Sequence, residues 1–331
     1  MSLPKNEKHE EYKLLTLIYM KKVVLLDGNA LMHRSFHAVK FAPIYQGKPI
    51  GMVFGFGSSL LQIIEQFQPN FFYVAFDTKE KTFRHKLDDT YKAHRKKAPD
   101  EFYDQLPLIF ELVEQFQLNV LKKPGFEADD IIGTLAKRAE KENLETFILS
   151  GDLDFLQLIS DRIHLAKFNG KTPLMFDRAK THEKLGIWPE QIVDYKAICG
   201  DSSDNYKGVA GLGPKNCVQL LEDFKTLEGI YENLDQIKSK VREKLEIDKK
   251  KAFHCQTLAQ IHLNVPVESD FSEKNEFQFS PDTISKFFDQ LNFLHLKKRT
   301  ENLNKRLEQG DKQEQNKDTK KSDNEAQTSL F

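Results

Sequence analysis

Short unbroken apolar runs alternate along this chain with stretches in which apolar residues recur every three or four positions. The run "KVVLLDG" from Lys22 has the character of a strand buried on both faces, and it closes on an acid, Asp27. "FFYVAFD" repeats the design up to Asp77, after an amphipathic stretch from Gly57 to Phe67. "ETFILSGDLD" repeats it again at Asp152 and Asp154, after a helical stretch from Asp130 to Asn143. Strand, helix and strand in alternation predict a parallel sheet joined by right-handed crossovers. Ligands of such sheets bind outside the carboxyl ends of the strands, where Asp27, Asp77, Asp152 and Asp154 fall. From about Trp188 the pattern turns helical, broken by Gly-rich turns at "GDSSDNYKGVAGLGPKN", and amphipathic segments continue to about Leu296. Beyond Lys298 almost nothing is apolar, so no burial offsets the entropy of ordering, and disorder is expected up to the last pair, Leu330 and Phe331. The expected division is a loose extension over 1–20, an α/β domain over 21–187, a helical region over 188–297 and a disordered tail over 298–331.

A chain of 331 residues is long enough for one large domain or two ordinary ones with real cores. Its 49 Lys and Arg against 50 Asp and Glu leave a net charge of −1, so only local charge is informative about nucleic acid. Cys199, Cys217 and Cys255 form no CxxC pair, which argues against a disulfide framework and a structural zinc site and fits a reduced cytosol. No apolar run approaches the roughly 20 residues of a membrane span. The opening "MSLPKNEKHEEYKLLTLIYM" has the form of neither a secretory leader nor a transit peptide, and Met20 offers a second start.

The segment "GFEADDIIG", residues 125–133, crowds Glu127, Asp129 and Asp130 ahead of an apolar helix. Positions i and i+3 share a helix face, so Glu127 and Asp130 point the same way with Asp129 displaced by part of a turn. Asp201 and Asp204 repeat that spacing. Any one such acid more often caps a helix than does chemistry, but four acidic clusters at strand ends or helix starts point to shared work. Like charges so placed repel and raise one another's pKa unless cations lie among them. Oxygen ligands without His or Cys suit Mg²⁺, or Mn²⁺ in its place, rather than zinc. Two such ions about 3.5–4 Å apart could activate a water and stabilise the leaving oxygen of a phosphodiester. A strand-terminal Asp also serves haloacid-dehalogenase-like phosphatases, but those need a second Asp two positions later, and Asp27 is followed by Gly28 and Asn29.

The stretch "KEKTFRHKLDDTYKAHRKKAPDEF" from Lys79 is strongly basic, with Phe83, Tyr91 and Phe102 interleaved. Over an acidic metal centre it would draw in a phosphate backbone, its aromatics stacking on unpaired bases. In "GVAGLGPKN", Gly208, Gly211 and Gly213 occupy turn positions, Pro214 suits a first helical turn and Lys215 adjoins it. Such a turn offers backbone N–H groups to phosphate without reading sequence. It resembles the helix-hairpin-helix pattern, with Ala210 where Pro is frequent.

Taken together, "LLDGNALMHRSF", "FRHKLDDTYKAHR", "GFEADDIIGTLA", "SGDLDFLQL" and "GDSSDNYKGVAGLGPK" resemble the 5′-nuclease (flap endonuclease) family. The form resembled is the amino-terminal domain of bacterial DNA polymerase I and its free-standing counterparts. The resemblance covers roughly Lys21 to Leu296. It implies a PIN-like parallel sheet flanked by helices, a helical arch at about residues 79–104 and a helix-hairpin-helix (three-turn-helix) DNA-binding region. It implies a metal set of Asp27, Glu127, Asp129, Asp130, Asp152 and Asp154, completed by Asp201 and Asp204, whose presence favours two ions; Asp77 joins the candidate set from its strand-end position alone. Arg84 and Lys92 fall where the family contacts the scissile phosphate, and Arg95 lies among the DNA-binding residues with the hairpin. Members with this hairpin also bind K⁺ on its carbonyls.

The activity implied is metal-assisted hydrolysis near the junction of single and double strand, on DNA with 5′ flaps, nicks or ends, or on RNA–DNA hybrid. The terminal nucleotides would unpair to reach the ions. A monomer in the bacterial cytoplasm, at the nucleoid and without membrane attachment, is expected. Primer removal and repair would need a separate DNA polymerase and ligase, since no polymerase region follows. The ending "QTSLF" resembles the peptide that docks bacterial replication proteins on the sliding clamp, through Gln327, Leu330 and Phe331. Two rivals are a non-catalytic binder of branched DNA, which would gain affinity by losing the acids, and a PIN-type ribonuclease, which needs no duplex-gripping hairpin.

Overall fold

The computed structural model describes residues 20–38, 43–168 and 172–309. The packing falls into two compact units interleaved along the chain, one drawn from Met1–Met32, Pro69–Ala98 and Asn119–Glu276, the other from His33–Gln68, Pro99–Leu118 and Phe277–Phe331.

The three apolar runs that end in acids are strands of the first unit: β1 (Lys22–Asp27), β4 (Phe71–Ala75) and β6 (Glu145–Leu149). With β5 (Asn119–Leu121), β7 (Ile163–Lys167) and β8 (Leu174–Phe176) they form one sheet in the order β5-β4-β1-β6-β7-β8. Neighbours from β5 to β7 are parallel, and only β8 runs antiparallel. The order grows outward from β1 in both directions, so the chain changes direction beside it, where α/β sheets open a ligand crevice. β4 is buried along its whole length and β1 at all but its first residue, as expected of central parallel strands.

The helix Ala128–Lys141 packs on β1 and β6 through Ile131, Ile132, Leu135 and Ala139. Among the described residues, the helical segment from Ile192 to Phe271 shares its core with the sheet. Its Leu221, Leu245, Cys255 and Leu258 join one apolar cluster with Val23 and Leu25 of β1 and Ile148 of β6. Burying each such side chain contributes about 1.5–3 kcal/mol, so this shared cluster holds the late acids to the sheet.

In the second unit, the stretch expected to be helical from Gly57 is the longer helix Gly51–Phe67, buried along most of its length. Gln105 caps it by accepting the Met52 amide at 2.9 Å. Leu106–Gln115 and Pro281–Gln290 pack around it through Leu112, Phe116 and Phe288. A small hairpin, β2 (Ile44–Tyr45) with β3 (Lys48–Pro49), turns on Gln46 and Gly47, both at positive φ as a tight two-residue turn requires.

Candidate metal centre and nucleic-acid interface

Asp27 is the last residue of β1, and its carboxylate accepts the Ala30 amide at 2.9 Å and the Ser150 hydroxyl at 2.8 Å. Asp77 lies beyond β4, exposed, and accepts the Ala128 amide at 2.8 Å, so it caps the helix that carries Asp129. Asp152 follows β6 and accepts the Asp154 amide at 2.9 Å. Burial pushes Asp27 up to about 6 against the pull of its Ala30 and Ser150 bonds, with Asp77 and Asp152 adding repulsion. Burial, then the charges of Asp27 and Asp152, hold Asp129 well above the carboxylate range. Its side chain has no hydrogen-bond donor among the described residues. Asp154 rises to about 7, through burial and Asp152, although the Lys196 ammonium draws it down. Converging oxygens this short of positive charge fit a hard divalent cation.

The late acids are provided for differently. Lys196, from the helix Ile192–Cys199, places its ammonium between Asp154 and Asp201, 2.6 Å from the latter. Although partial burial of Asp201 works the other way, that ammonium and the Ser203 bonds hold its carboxyl below the ordinary value. Asp204 accepts from Arg95 at 2.9 Å. The buried Tyr91 hydroxyl stands 3.0 Å from Asp204 and 3.1 Å from Glu127, and Lys92 reaches Glu127 at 3.1 Å. Backbone bonds fix this arrangement. The Lys92 amide donates to the Asp204 carbonyl at 3.0 Å, and the Asn205 side chain donates to the Thr90 carbonyl at 2.7 Å. Lys92 itself adopts φ +54°, rare for a side chain of its size. Asp154, Asp201 and Asp204 each bring a ligand oxygen within 4.8 Å of the others.

Arg84 lies apart from this open face. It is 3% exposed, and its guanidinium grips Asp130 at 2.8 and 2.9 Å. Tyr91 and Phe102 are 2% and 4% exposed, so neither offers a ring to a base, contrary to expectation. Tyr91 is spent on the acids, and Phe102 packs on the ring of His33 at 4.7 Å. Phe83 stays half-buried, with the Arg84 guanidinium 4.5 Å from its ring centre.

The Gly-rich turn enters the helix Pro214–Phe224. Gly211, at φ +73°, and Gly213 are exposed, and their amides have no partner among the described residues. Lys215 is exposed beside them. Gly208 is instead buried, and it packs so closely that a Cβ there would lie 2.2 Å from the Ile198 carbonyl oxygen. The Ala210 amide donates to Asp248 at 2.6 Å, a bond that Pro could not make. Gln327, Leu330 and Phe331 lie outside the described residues.

A family model described as the 5′-3′ exonuclease N-terminal, resolvase-like domain matches residues 22–186, and one described as the 5′-3′ exonuclease C-terminal SAM fold matches 187–283. The chain belongs to the 5′-3′ exonuclease family. Its curated relatives include thermostable DNA polymerase I of Thermus thermophilus, 42% identical over 253 residues, which are 76% of this chain and 30% of that protein. DNA polymerase I of Bacillus subtilis is 39% identical over 276 residues, 82% of this chain and 31% of that protein. This family member thus spans less than a third of the length of those two relatives. Among solved structures, the T5 D15 protein co-crystallised with metal ions superposes with a TM-score of 0.61 at 20% identity, covering 86% of this chain and 99% of that one. The catalytic core of Rad2 in complex with DNA substrate gives 0.57 at 16%, covering 86% and 92%. At these identities the likeness is one of fold, a parallel sheet flanked by helices with a helical region after it.

Two participants escaped the sequence reading of this 5′-3′ exonuclease family chain. Lys196 gave no signal beyond standing five residues before Asp201. Tyr91 was legible only as an aromatic in a basic stretch, since its acidic partner Asp204 is 113 residues away.

Proposed function

We propose that this chain is a structure-specific 5′-3′ exonuclease and flap endonuclease that hydrolyses DNA phosphodiesters near junctions of single and double strand, leaving a 5′-phosphate and a 3′-hydroxyl. One observation carries the proposal: Asp27, Asp129 and Asp152 stand charge-starved at the carboxyl end of the sheet, with Lys92 and Arg95 beside them on Glu127 and Asp204. Bound among Asp27, Asp77, Glu127, Asp129, Asp152, Asp154, Asp201 and Asp204, two Mg²⁺ ions would supply Lewis-acid charge and lower the pKa of a water. The chain's own part is to place and balance charge. Lys92 and Arg95 would exchange carboxylate for the scissile phosphate and meet its developing charge. Lys196 offsets the repulsion between Asp154 and Asp201, a role that a divalent ion held there would share. The free amides of Gly211 and Gly213, with Lys215, would hold the duplex backbone without regard to sequence. A K⁺ ion at that turn would share its carbonyls with the Lys244 ammonium, 2.9 Å from the Gly211 oxygen.

Replication primer removal and repair fit such an activity, with DNA or RNA–DNA hybrid as substrate and a separate polymerase and ligase completing the work. The ending QTSLF would dock in an apolar groove of a sliding clamp. Among the described residues no helix is long and apolar enough to cross a membrane. A monomer acting at the bacterial nucleoid is proposed.

The test is a duplex with a labelled 5′ flap, incubated with the protein in Mg²⁺, in EDTA, and with Asp152→Asn, mapping product lengths and ends. Cleavage near the junction that requires both Mg²⁺ and Asp152 is expected. Tight binding of the flap in Mg²⁺ with no cutting of DNA or hybrid would replace the enzyme with a binding protein.

A further inference from the structure

We infer that Arg84 and Asp130 form a sealed clasp that positions the metal-bearing turn, and that neither touches a metal ion or the substrate phosphate. The metal half of this inference rests on the proposed function above; the clasp itself rests on the bonding.

A guanidinium has five N–H donors and a carboxylate about four acceptor positions. Arg84 spends every donor. Its Nε gives to the Leu258 carbonyl at 2.9 Å, one Nη to Asp130 at 2.9 Å and Glu127 at 3.2 Å, and the other to Asp130 at 2.8 Å and the Gln260 carbonyl at 2.7 Å. Asp130 spends every acceptor, since beyond the two Arg84 bonds it takes the His262 amide at 2.8 Å and the Glu127 amide at 3.1 Å. Both residues are buried, Asp130 at 0% exposure. A metal ion could reach Asp130 only by stripping one of these donors and leaving it buried without a partner. Asp129, one position earlier, has no such donor and lies among the acids.

The clasp joins three segments: the short helix Phe83–Leu87, the first turn of Ala128–Lys141, and residues 258–262 at the end of the helix Ser239–Ala259. Thr134, one turn further on, extends the seam by accepting the Val265 amide at 3.0 Å. The acidic turn is therefore fastened to the helical region at the clasp itself, immediately beside the position from which Asp129 projects.

The experiment compares wild type, Asp129→Asn, Asp130→Asn, Arg84→Gln and the double variant Arg84→Gln with Asp130→Asn. It reads thermal unfolding in EDTA and Mn²⁺ binding by electron paramagnetic resonance. Removing a repelled ligand stabilises metal-free protein, whereas opening a buried ion pair destabilises it, so the two acids should move Tm in opposite directions. Asp129→Asn is expected to raise Tm in EDTA and to weaken Mn²⁺ binding at least tenfold. Asp130→Asn and Arg84→Gln are each expected to lower Tm, by about 10 °C, while retaining the wild-type number of bound Mn²⁺ ions with affinity within about threefold. The double variant should fall little further than either single one. Should Asp130→Asn fail to fold, Arg84→Lys, which keeps the charge but loses the planar fork, is expected to show the same lowered Tm and unchanged Mn²⁺ count. A rise in Tm for Asp130→Asn, or loss of a Mn²⁺ ion with Tm unchanged, would make Asp130 a ligand and overturn the clasp. If wild type binds no Mn²⁺, the metal-centre reading fails, and the signs of the Tm shifts still decide the clasp.

Discussion

The two sides of the acidic cluster are built on opposite electrostatic plans. On the sheet side, buried Asp27 and half-buried Asp129 sit among like charges and are lifted above the carboxylate range; Asp27 has only neutral hydrogen-bond donors, Asp129 has none, and neither has an ammonium or guanidinium bonded to it among the described residues. On the late side, Asp201 and Asp204 come with resident cations, Lys196 and Arg95, and Lys92 attends Glu127 between them. Buried charge is tolerated only when it is paired or can be neutralised. Under the proposed function, the sheet side would take its balancing charge from solution, while the late side, already balanced by the chain, would have to release its own cations as ligand binds. On that proposal a substrate phosphate would draw Lys92 and Arg95 away, and a divalent ion near Asp201 would compete with Lys196.

Removing a sheet-side acid should have the largest effect. Asp129→Asn or Asp152→Asn is expected to cut single-turnover cleavage of a flap duplex at least about 10³-fold, as read by quenched-flow, and an activity within tenfold of wild type would dissolve the contrast. Next comes the cation with the shortest route to phosphate. Lys92→Ala is expected to lower kcat by about 10²–10³ with a much smaller change in KM. A change confined to KM would make Lys92 a binding residue only.

Lys196→Met converts the late side to the plan of the sheet side. It should lower Tm in EDTA and tighten Mn²⁺ binding by about tenfold, because a competing charge is gone. Weaker Mn²⁺ binding would show that Lys196 organises ligands instead of competing with metal.

The pH dependence separates the two sides more finely. Asp27 and Asp154 titrate at about 6 and about 7 in the folded chain, above their ordinary 3.8. Between about pH 4 and pH 7 the folded protein therefore keeps protons that the unfolded chain has released, and metal-free stability falls as pH rises through that window. Asp201, held low, gives stability that is present at neutral pH and is lost only as pH falls below its ordinary range. Calorimetry in EDTA should show Tm declining from pH 5 to pH 8, and Mg²⁺ should flatten or reverse the trend. The smallest effect lies farthest from the acids: Lys215→Ala should weaken duplex binding a few-fold and reduce the salt slope by about one.

Much of this was legible in the sequence for a plain reason. β1 and β4 are buried on both faces and read as unbroken apolar runs apart from the first residue and the closing acid of β1, β6 ends in the buried pair Ile148 and Leu149, and each strand ends at or just before its acid with no long loop between. β5 and β8 have three residues each, and β7 mixes apolar with His164 and Lys167, so none of the three carries a pattern long enough to read. The acids could be gathered by residue type, but their surroundings could not. Nothing near Arg84 announces that its guanidinium faces inward, because the Leu258 and Gln260 carbonyls that hold it are 174 and 176 residues further on. The same distance hid the shared core, since periodicity reports which face of a helix is apolar and not what covers it.

That distance also sets an order in time. His262, whose amide completes the bonding of Asp130, is 132 residues later in the chain, a gap that a ribosome adding about 5–20 residues per second crosses in roughly 7–26 s. Through that interval the growing chain already carries Asp27 and Asp129, joined soon by Asp152, without the contacts that fix the acidic turn. A nascent chain can thus display its acids without the geometry to use them, and maturation of the centre is tied to synthesis of its last helical segment.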